Sequence, residues 1–301
     1  MNPFSVVKPF DITDAMLIST DVPETDYAEW SSGTTYALGD RRIIAATHTV
    51  WESLAGSNLN HPPAASPTWW IEVSKTNRWK LFDTSNSTQT AQATTMTYTL
   101  RLGASVTLAA ALNLVGVTSM RVRVNDPVYG VVYDVTTDIA PLPVSSSWWE
   151  WFFGIRQSKS NVILRDLPAF PNADLMIDFT GSSLLAVGVL LFGQVADWGL
   201  GINYGASVGI QDYSRKETNT FGDAVLVQRA FAKRAQFNVT ILKAETDYLQ
   251  QYLAELRATP CLWIGADAYE STYIFGFYKD FDILIAYPEQ SDCSITLEGL
   301  T

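Results

Sequence analysis

From Met96 to Ser214, apolar and polar residues alternate in short runs separated by turn-forming clusters. "MTYTLRL", "SVTLAAAL", "SMRVRVND", "GVVYDVTT", "WWEWFFG", "NVILRDL", "LMIDFTG", "LLAVGVLLFG" and "ASVGIQDYS" follow one another at about ten to fifteen residues, the spacing of an antiparallel β-sandwich or jelly roll. In "SMRVRVND" the period of two puts Met120, Val122 and Val124 on one face and Arg121 and Arg123 on the other, so this strand has one buried side. "LLAVGVLLF", Leu184 to Phe192, is apolar throughout and reads as a buried strand. It is less than half the roughly 20 residues that a bilayer-crossing helix takes.

The pattern changes on either side of this region. Residues 1–26 hold two strand-like pieces, "FSVVKPF" and "AMLIST", divided by "DITD", and read as an N-terminal arm or edge hairpin. Residues 27–83 carry short apolar pieces between turn clusters at Ser31–Gly33, Leu38–Asp40, Gly56–Asn60 and His61–Pro67. That predicts a small, loop-rich β module that leans on its aromatic residues for a core. A Ser/Thr/Gln stretch from Thr84 to Thr95 reads as a linker into the 96–214 sandwich.

Residues 215–301 predict an α+β unit. In "AETDYLQQYLAELRATP", Leu249, Tyr252, Leu253 and Leu256 fall at i, i+3, i+4 and i+7, with Pro260 ending the helix. Its apolar stripe would lie on "CLWIG", "STYIFGFYKDF" and "CSITLEGL". The expected fold class is mainly β: a small aromatic-rich β module, a jelly-roll-like β-sandwich and a C-terminal α+β unit with one clear helix.

Composition narrows the classes. Of the 301 residues, 47% are apolar, 17% charged and 12% aromatic, which fits a sheet-rich globular chain and not a disordered one. The net charge of −11 repels phosphate backbones and anionic lipid heads, so neither nucleic acid nor membrane insertion is expected. "MNPFSVVKPFDITDAML" lacks the basic and apolar regions of a secretory signal, so a start in a cytoplasm is expected. Cys261 and Cys293 either pair or stay as two buried free thiols, the latter being favoured; two cysteines cannot close a zinc site.

The chain carries few signatures of chemistry. His48 and His61 have no Cys or carboxylate at a metal-ligand spacing, and no G-x-S-x-G, G-x-x-x-x-G-K or G-x-G-x-x-G falls where a strand leads into a helix, so no metal, cofactor or catalytic residue is expected. A glycoside hydrolase would need two carboxylates about 5 to 9.5 Å apart across a cleft. Asp166, Asp174, Asp178, Asp197 and Asp212 are available in the sandwich region. Glu150, among Trp148, Trp149 and Trp151 in "SSSWWEWFFG", is the best place to look. The plainer reading makes that run a strand buried between sheets or at an oligomer interface, with Glu150 in an ion pair.

The aromatic residues of the small module carry more. Trp30 and Tyr36 flank a Ser-Ser-Gly turn ahead of Gly39 and Asp40, which suits a clamp on the module's core. Adjacent strand residues point to opposite faces, so Trp69 and Trp70 cannot both be inward. Trp51, Trp69 and Trp70 are therefore candidate sugar platforms, flat rings on which the C–H faces of a glycan pack. Trp79 and Phe82, in "NRWKLFD", are expected at the junction with the sandwich.

The spacing W-x5-Y-x2-G-D, met as Trp30, Tyr36, Gly39 and Asp40 and continued by "TVWES" and Trp69–Trp70, resembles the chitin- and cellulose-binding modules of the family 5/12 type. In that family a valine commonly follows Gly-Asp and a tyrosine often stands at the position of Trp51; here Arg41 and Trp51 stand instead. The order of segments, a module of this kind, a β-sandwich, "DYSRKETNTFGD" and a terminal "CSITLEGLT", resembles tail-tip, baseplate or fibre-associated proteins of tailed bacteriophages. That resemblance implies a homo-oligomer among other virion tail proteins, assembled in the host cytoplasm, with an accessory domain that grips host-surface polysaccharide. Two other readings stand beside it: a glycan-degrading enzyme anchored by the module, and a module that is a spacer without a ligand.

Overall fold

The fold follows from where two long strands bend and which distant segments they pair with. The computed structural model describes residues 3–139, 142–143, 147–153, 156–157, 159–218 and 222–300. As the alternation predicts, the protein is mainly β, with extensive antiparallel pairing and one clear helix. It divides into two compact units, Asp11–Leu191 and Met1–Phe10 with Phe192–Thr301. Among the described residues no helix is long and apolar enough to cross a membrane.

In the Asp11–Leu191 unit the organising element is the strand Leu108–Asp126, which leaves the extended conformation at Asn113 (φ 54°) and Gly116 (φ 69°). Its first half pairs with Val162–Leu164 and its second with Gly130–Asp138. Glycine is required at the bend, because a Cβ on Gly116 would lie 2.4 Å from the carbonyl oxygen of Leu184. Met120, Val122 and Val124 are buried, while Arg121 and Arg123 form ion pairs with Asp134 and Asp178. The apolar run is buried from Leu185 onward, within the strand Asp174–Trp198.

Thr84–Thr95 is not a linker throughout: the strand Thr90–Leu100 starts inside it and pairs with both Asp174–Trp198 and Leu17–Thr20. Thr90 is fully buried, and its hydroxyl oxygen accepts the Leu81 N–H at 3.0 Å. Threonine suits a strand as well as a loop, and only the long-range partner distinguishes the two.

In the other unit the N-terminal segment departs from the expected arm. Phe4–Pro9 pairs on one side with Gly193–Trp198 and on the other with Leu262–Ile264, and Phe4 to Val7 are buried. Pro9, which has no N–H to give, falls at the strand's last position. The sheet continues through Cys261–Ile264, Tyr273–Leu284, Gln290–Gly299, Phe231–Leu242 and Ser207–Asp212. In Phe231–Leu242, Ala235, Phe237, Val239 and Ile241 alternate inward.

The longer helix, Thr246–Glu255 (α2, the shorter α1 being Trp148–Phe153), sets Leu249 and Leu253 with Leu256 into one core with Trp263, Ile274, Ile295 and Leu297. Full burial of each leucine contributes about 2 kcal/mol. The helix stops before Pro260: Ala258 takes φ 55°, and the Thr259 N–H bonds the Leu256 carbonyl. Cys261 and Cys293 are both buried free thiols.

Candidate functional site

The aromatic module folds as a three-stranded sheet, Arg41–Ile44, Thr49–Ser53 and Trp70–Lys75, beside the short pair Thr35–Tyr36 and Asn58–Leu59. Its Gly-Asp turn forms because Gly39 takes φ 84° and the Asp40 carboxylate accepts the Ala37 N–H at 2.8 Å. Tyr36 is buried, and its hydroxyl both accepts the Ser31 N–H (2.8 Å) and donates to the Ser31 carbonyl (3.0 Å). Trp30 is half-buried, its backbone N–H bonded to the Ile43 carbonyl.

The three candidate platforms are placed differently. Trp70 is 1% exposed, meets Tyr36 edge-on at 5.2 Å and donates its indole N–H to the His61 carbonyl at 2.8 Å. A ring so enclosed has no face to offer, so Trp70, expected as a platform, is a core ring of the module instead. Trp69 sits in the turn just before that strand, is half-buried and stacks on the His61 imidazole at 3.9 Å and 10°. Trp51, also half-buried, lies opposite Arg42 and Glu72 in the sheet and donates its indole N–H to the Thr49 hydroxyl at 2.8 Å. The Arg42 guanidinium stands 4.9 Å over the Tyr36 ring.

Sequence reasoning missed how Trp69 is held. Asn58 is fully buried; its carboxamide donates to the Ser53 hydroxyl (2.9 Å), and its oxygen bonds His61 Nδ1 (2.9 Å). His61, dismissed as a metal ligand, thus braces the Trp69 ring from behind. The sequence signal was available: Asn58 and His61 stand three apart within a turn-rich loop, where side chains commonly bond locally. The arrangement can do what a sugar platform must, presenting a ring fixed by neighbours beside polar groups.

Trp79 and Phe82 lie where the module runs into Thr90–Leu100. Trp79 is 5% exposed and stacks on His48 at 4.2 Å, while Phe82 meets Trp79 and Tyr98 edge-on. Behind them the Glu24 carboxylate bonds His48 Nδ1 (2.8 Å) and the Thr76 hydroxyl (2.6 Å), with Arg78 at 3.4 Å. A cavity of about 340 Å³ opens there, lined by Asp14, His48, Lys75, Trp79 and Asp83 among others. Burial pushes the Asp83 carboxyl up, against hydrogen bonds from Thr88 and Ser85 that pull it down.

The run at Trp148–Phe153 is a helix, α1, and not a buried strand. Trp148, Trp149, Trp151, Phe152 and Phe153 are 52–71% exposed and touch one another in edge and tilted contacts. The alternation argument failed because six aromatic or acidic residues in succession carry no period, two or otherwise. The expected Glu150 ion pair concerns a side chain outside the described residues.

The carboxylates offered for catalysis are otherwise engaged. Asp174 pairs with Arg101, Asp178 with Arg123, Asp197 accepts the Ser5 hydroxyl, and Asp212 accepts the Ser214 N–H. Asp166 lies near Tyr133, whose phenol is held above its usual value first by burial and then by that charge. Among the described residues, no group of three or more His, Cys, Asp or Glu could hold a metal. In comparisons with known proteins the chain matches no family model, no curated protein and no solved structure.

Proposed function

We propose that this chain is a self-associating structural subunit of a bacteriophage tail, at the tip, baseplate or fibre-attachment region, whose small module offers Trp69 and Trp51 to host-surface polysaccharide. The observation that carries the assembly part is α1: five large aromatic side chains within six residues stand 52–71% exposed. Each such ring represents about 150–250 Å² of surface to bury. A contiguous patch of that size marks an interaction site, where scattered single exposures do not.

For the glycan part, the support is the Trp69 ring, fixed by His61 and Asn58 at the end of the module's sheet. One such ring binds sugar weakly; several copies on one particle convert weak sites into avid attachment. The tail assignment itself is supported by the resemblance in the order of segments, and it joins the two parts, since a particle needs both assembly and a grip on its host.

Two measurements test it. Purified protein run in sedimentation velocity should associate, and Trp148→Ala with Trp149→Ala and Trp151→Ala should shift it toward monomer without loss of fold; a wild-type chain that stays monomeric at all concentrations sinks the assembly part. Pull-down on host envelope polysaccharide should be lost with Trp69→Ala plus Trp51→Ala, and weakened but not lost with the α1 variant, which keeps the ring and loses avidity. Unchanged pull-down in the module variant sinks the glycan part.

A further inference from the structure

The strand Phe231–Leu242 has opposite chemistry at its two ends, in one compact unit. At the Phe231 end the chain makes a hairpin, Arg215–Thr218 paired with Ala224–Val227, beyond the edge pairing of Asp212 with Phe231. All the described residues of Ser207–Asp212 and Arg215–Thr218 are exposed. Between them lies a groove of about 700 Å³, with Ile210, Leu226 and Phe231 as its apolar lining and Arg215, Lys216 and Arg229 as its cations. Asp212 also lines it, its carboxylate held by the Ser214 N–H, and Arg215 is engaged by Glu217. Residues 213–234 hold five Lys and Arg against two acidic residues, on a chain whose net charge is −11.

At the other end, Leu242 pairs with Gln290, and the turn from Tyr273–Leu284 into Gln290–Gly299 projects past it. Leu284, Ile285 and Tyr287 are exposed there, and so are Asp280, Asp282 and Glu289. No Lys or Arg follows Lys279 in the chain. The groove and the turn are separated by most of a twelve-residue strand, roughly 30 Å at strand rise. A copy therefore cannot fill its own groove with its own turn.

We propose that the groove around Ile210, Leu226 and Phe231 takes the acidic, apolar turn 284–289 of a second copy, with Lys216 and Arg229 facing Asp282 and Glu289. This rests on the self-association reading and adds to the contact made through α1 a second, head-to-tail one. A cationic groove on an acidic chain finds its complement in an apolar turn of the same unit that carries only negative charge. Because the two surfaces differ and sit at opposite ends, the contact is head-to-tail, and repetition generates a ring or a filament. Apolar contact supplies affinity, and the charges set register and exclude the groove-to-groove and turn-to-turn alternatives.

The test uses the full chain in sedimentation velocity. Lys216→Glu with Arg229→Glu reverses the groove; Asp282→Lys with Glu289→Lys reverses the turn. Each double variant alone should weaken association at least about tenfold. An equimolar mixture of the two should restore it, because each reversed surface then meets a complementary one. Wild-type chain that associates while both variants associate equally well overturns this contact and leaves self-association standing, as does a loss that mixing leaves unrepaired. A wild-type chain that is monomeric throughout overturns both.

Discussion

Two tryptophan-rich stretches of this chain have opposite fates. In "TWWIEVSKTNRW", Trp70 and Trp79 are 1% and 5% exposed, each packed on another ring, and Trp69 rests on His61. In "WWEWFF" every described aromatic side chain is exposed, and the rings meet one another. Residue type is the same; what differs is the spacing of turns and partners. The first stretch is flanked by segments that bring Tyr36, His48 and His61 to it. The second has no polar position at a regular interval, so no one face can be buried while the others are solvated. A tryptophan in this protein is structural where the neighbouring loops supply a ring or carbonyl for it, and an assembly candidate where they do not.

The sharpest way to break this comparison is to remove one ring from each stretch. Trp70→Ala should lower unfolding stability by about 3 to 5 kcal/mol in urea titration, through lost burial, a cavity and the Tyr36 contact, whereas Trp148→Ala should change it by less than about 0.5 kcal/mol. Equal costs would erase the distinction. Next in size is Glu24→Ala, expected to cost about 3 kcal/mol, because His48 and Arg78 lose their shared carboxylate. A neutral result would mean that the rings at Trp79 hold that junction without the ionic network.

Trp69→Ala sharpens the line between the two fates. It should cost only about 1 kcal/mol, the worth of its stack on His61, and its effect should show in polysaccharide pull-down more than in the urea midpoint. A stability loss as large as that of Trp70→Ala would make Trp69 a core ring.

A further effect concerns pH. Burial pushes the thiol of Cys261 up to about 12 and that of Cys293 up to about 11, the latter with help from the Asp282 charge. A thiol whose folded value is raised contributes stability that is complete below its unfolded value, about 8.5. That contribution falls as pH rises through about 11 to 12. The urea midpoint should therefore decline between pH 9 and pH 11, and less steeply in Cys261→Ala; equal slopes would remove the thiols from the cause.

Much of the architecture was legible in the chain. The alternation at Met120, Val122 and Val124 and the stripe of α2 each fix a local period that burial follows, and the apolar run Leu184–Phe192 is buried but for its first residue. Strand alternation was expected to set Trp69 and Trp70 on opposite faces, but Trp69 lies in the turn before the strand that Trp70 opens, so the period decides neither ring's place. Tyr36 and the His61 carbonyl decide it, and both are brought there by loops.

By itself, then, the sequence determined the mainly-β class, the one clear helix, the Gly39–Asp40 turn and the separation of polar from apolar faces, all of which depend on neighbours within a few residues. Only the tertiary structure decided that Phe4–Pro9 lies between Gly193–Trp198 and Leu262–Ile264 and that Thr90 opens a strand. It also decided that the basic groove and the acidic turn fall at opposite ends of one sheet. Strand pairing joins residues nearly two hundred positions apart through backbone groups that every residue carries, so the side-chain pattern marks a strand without naming its partner.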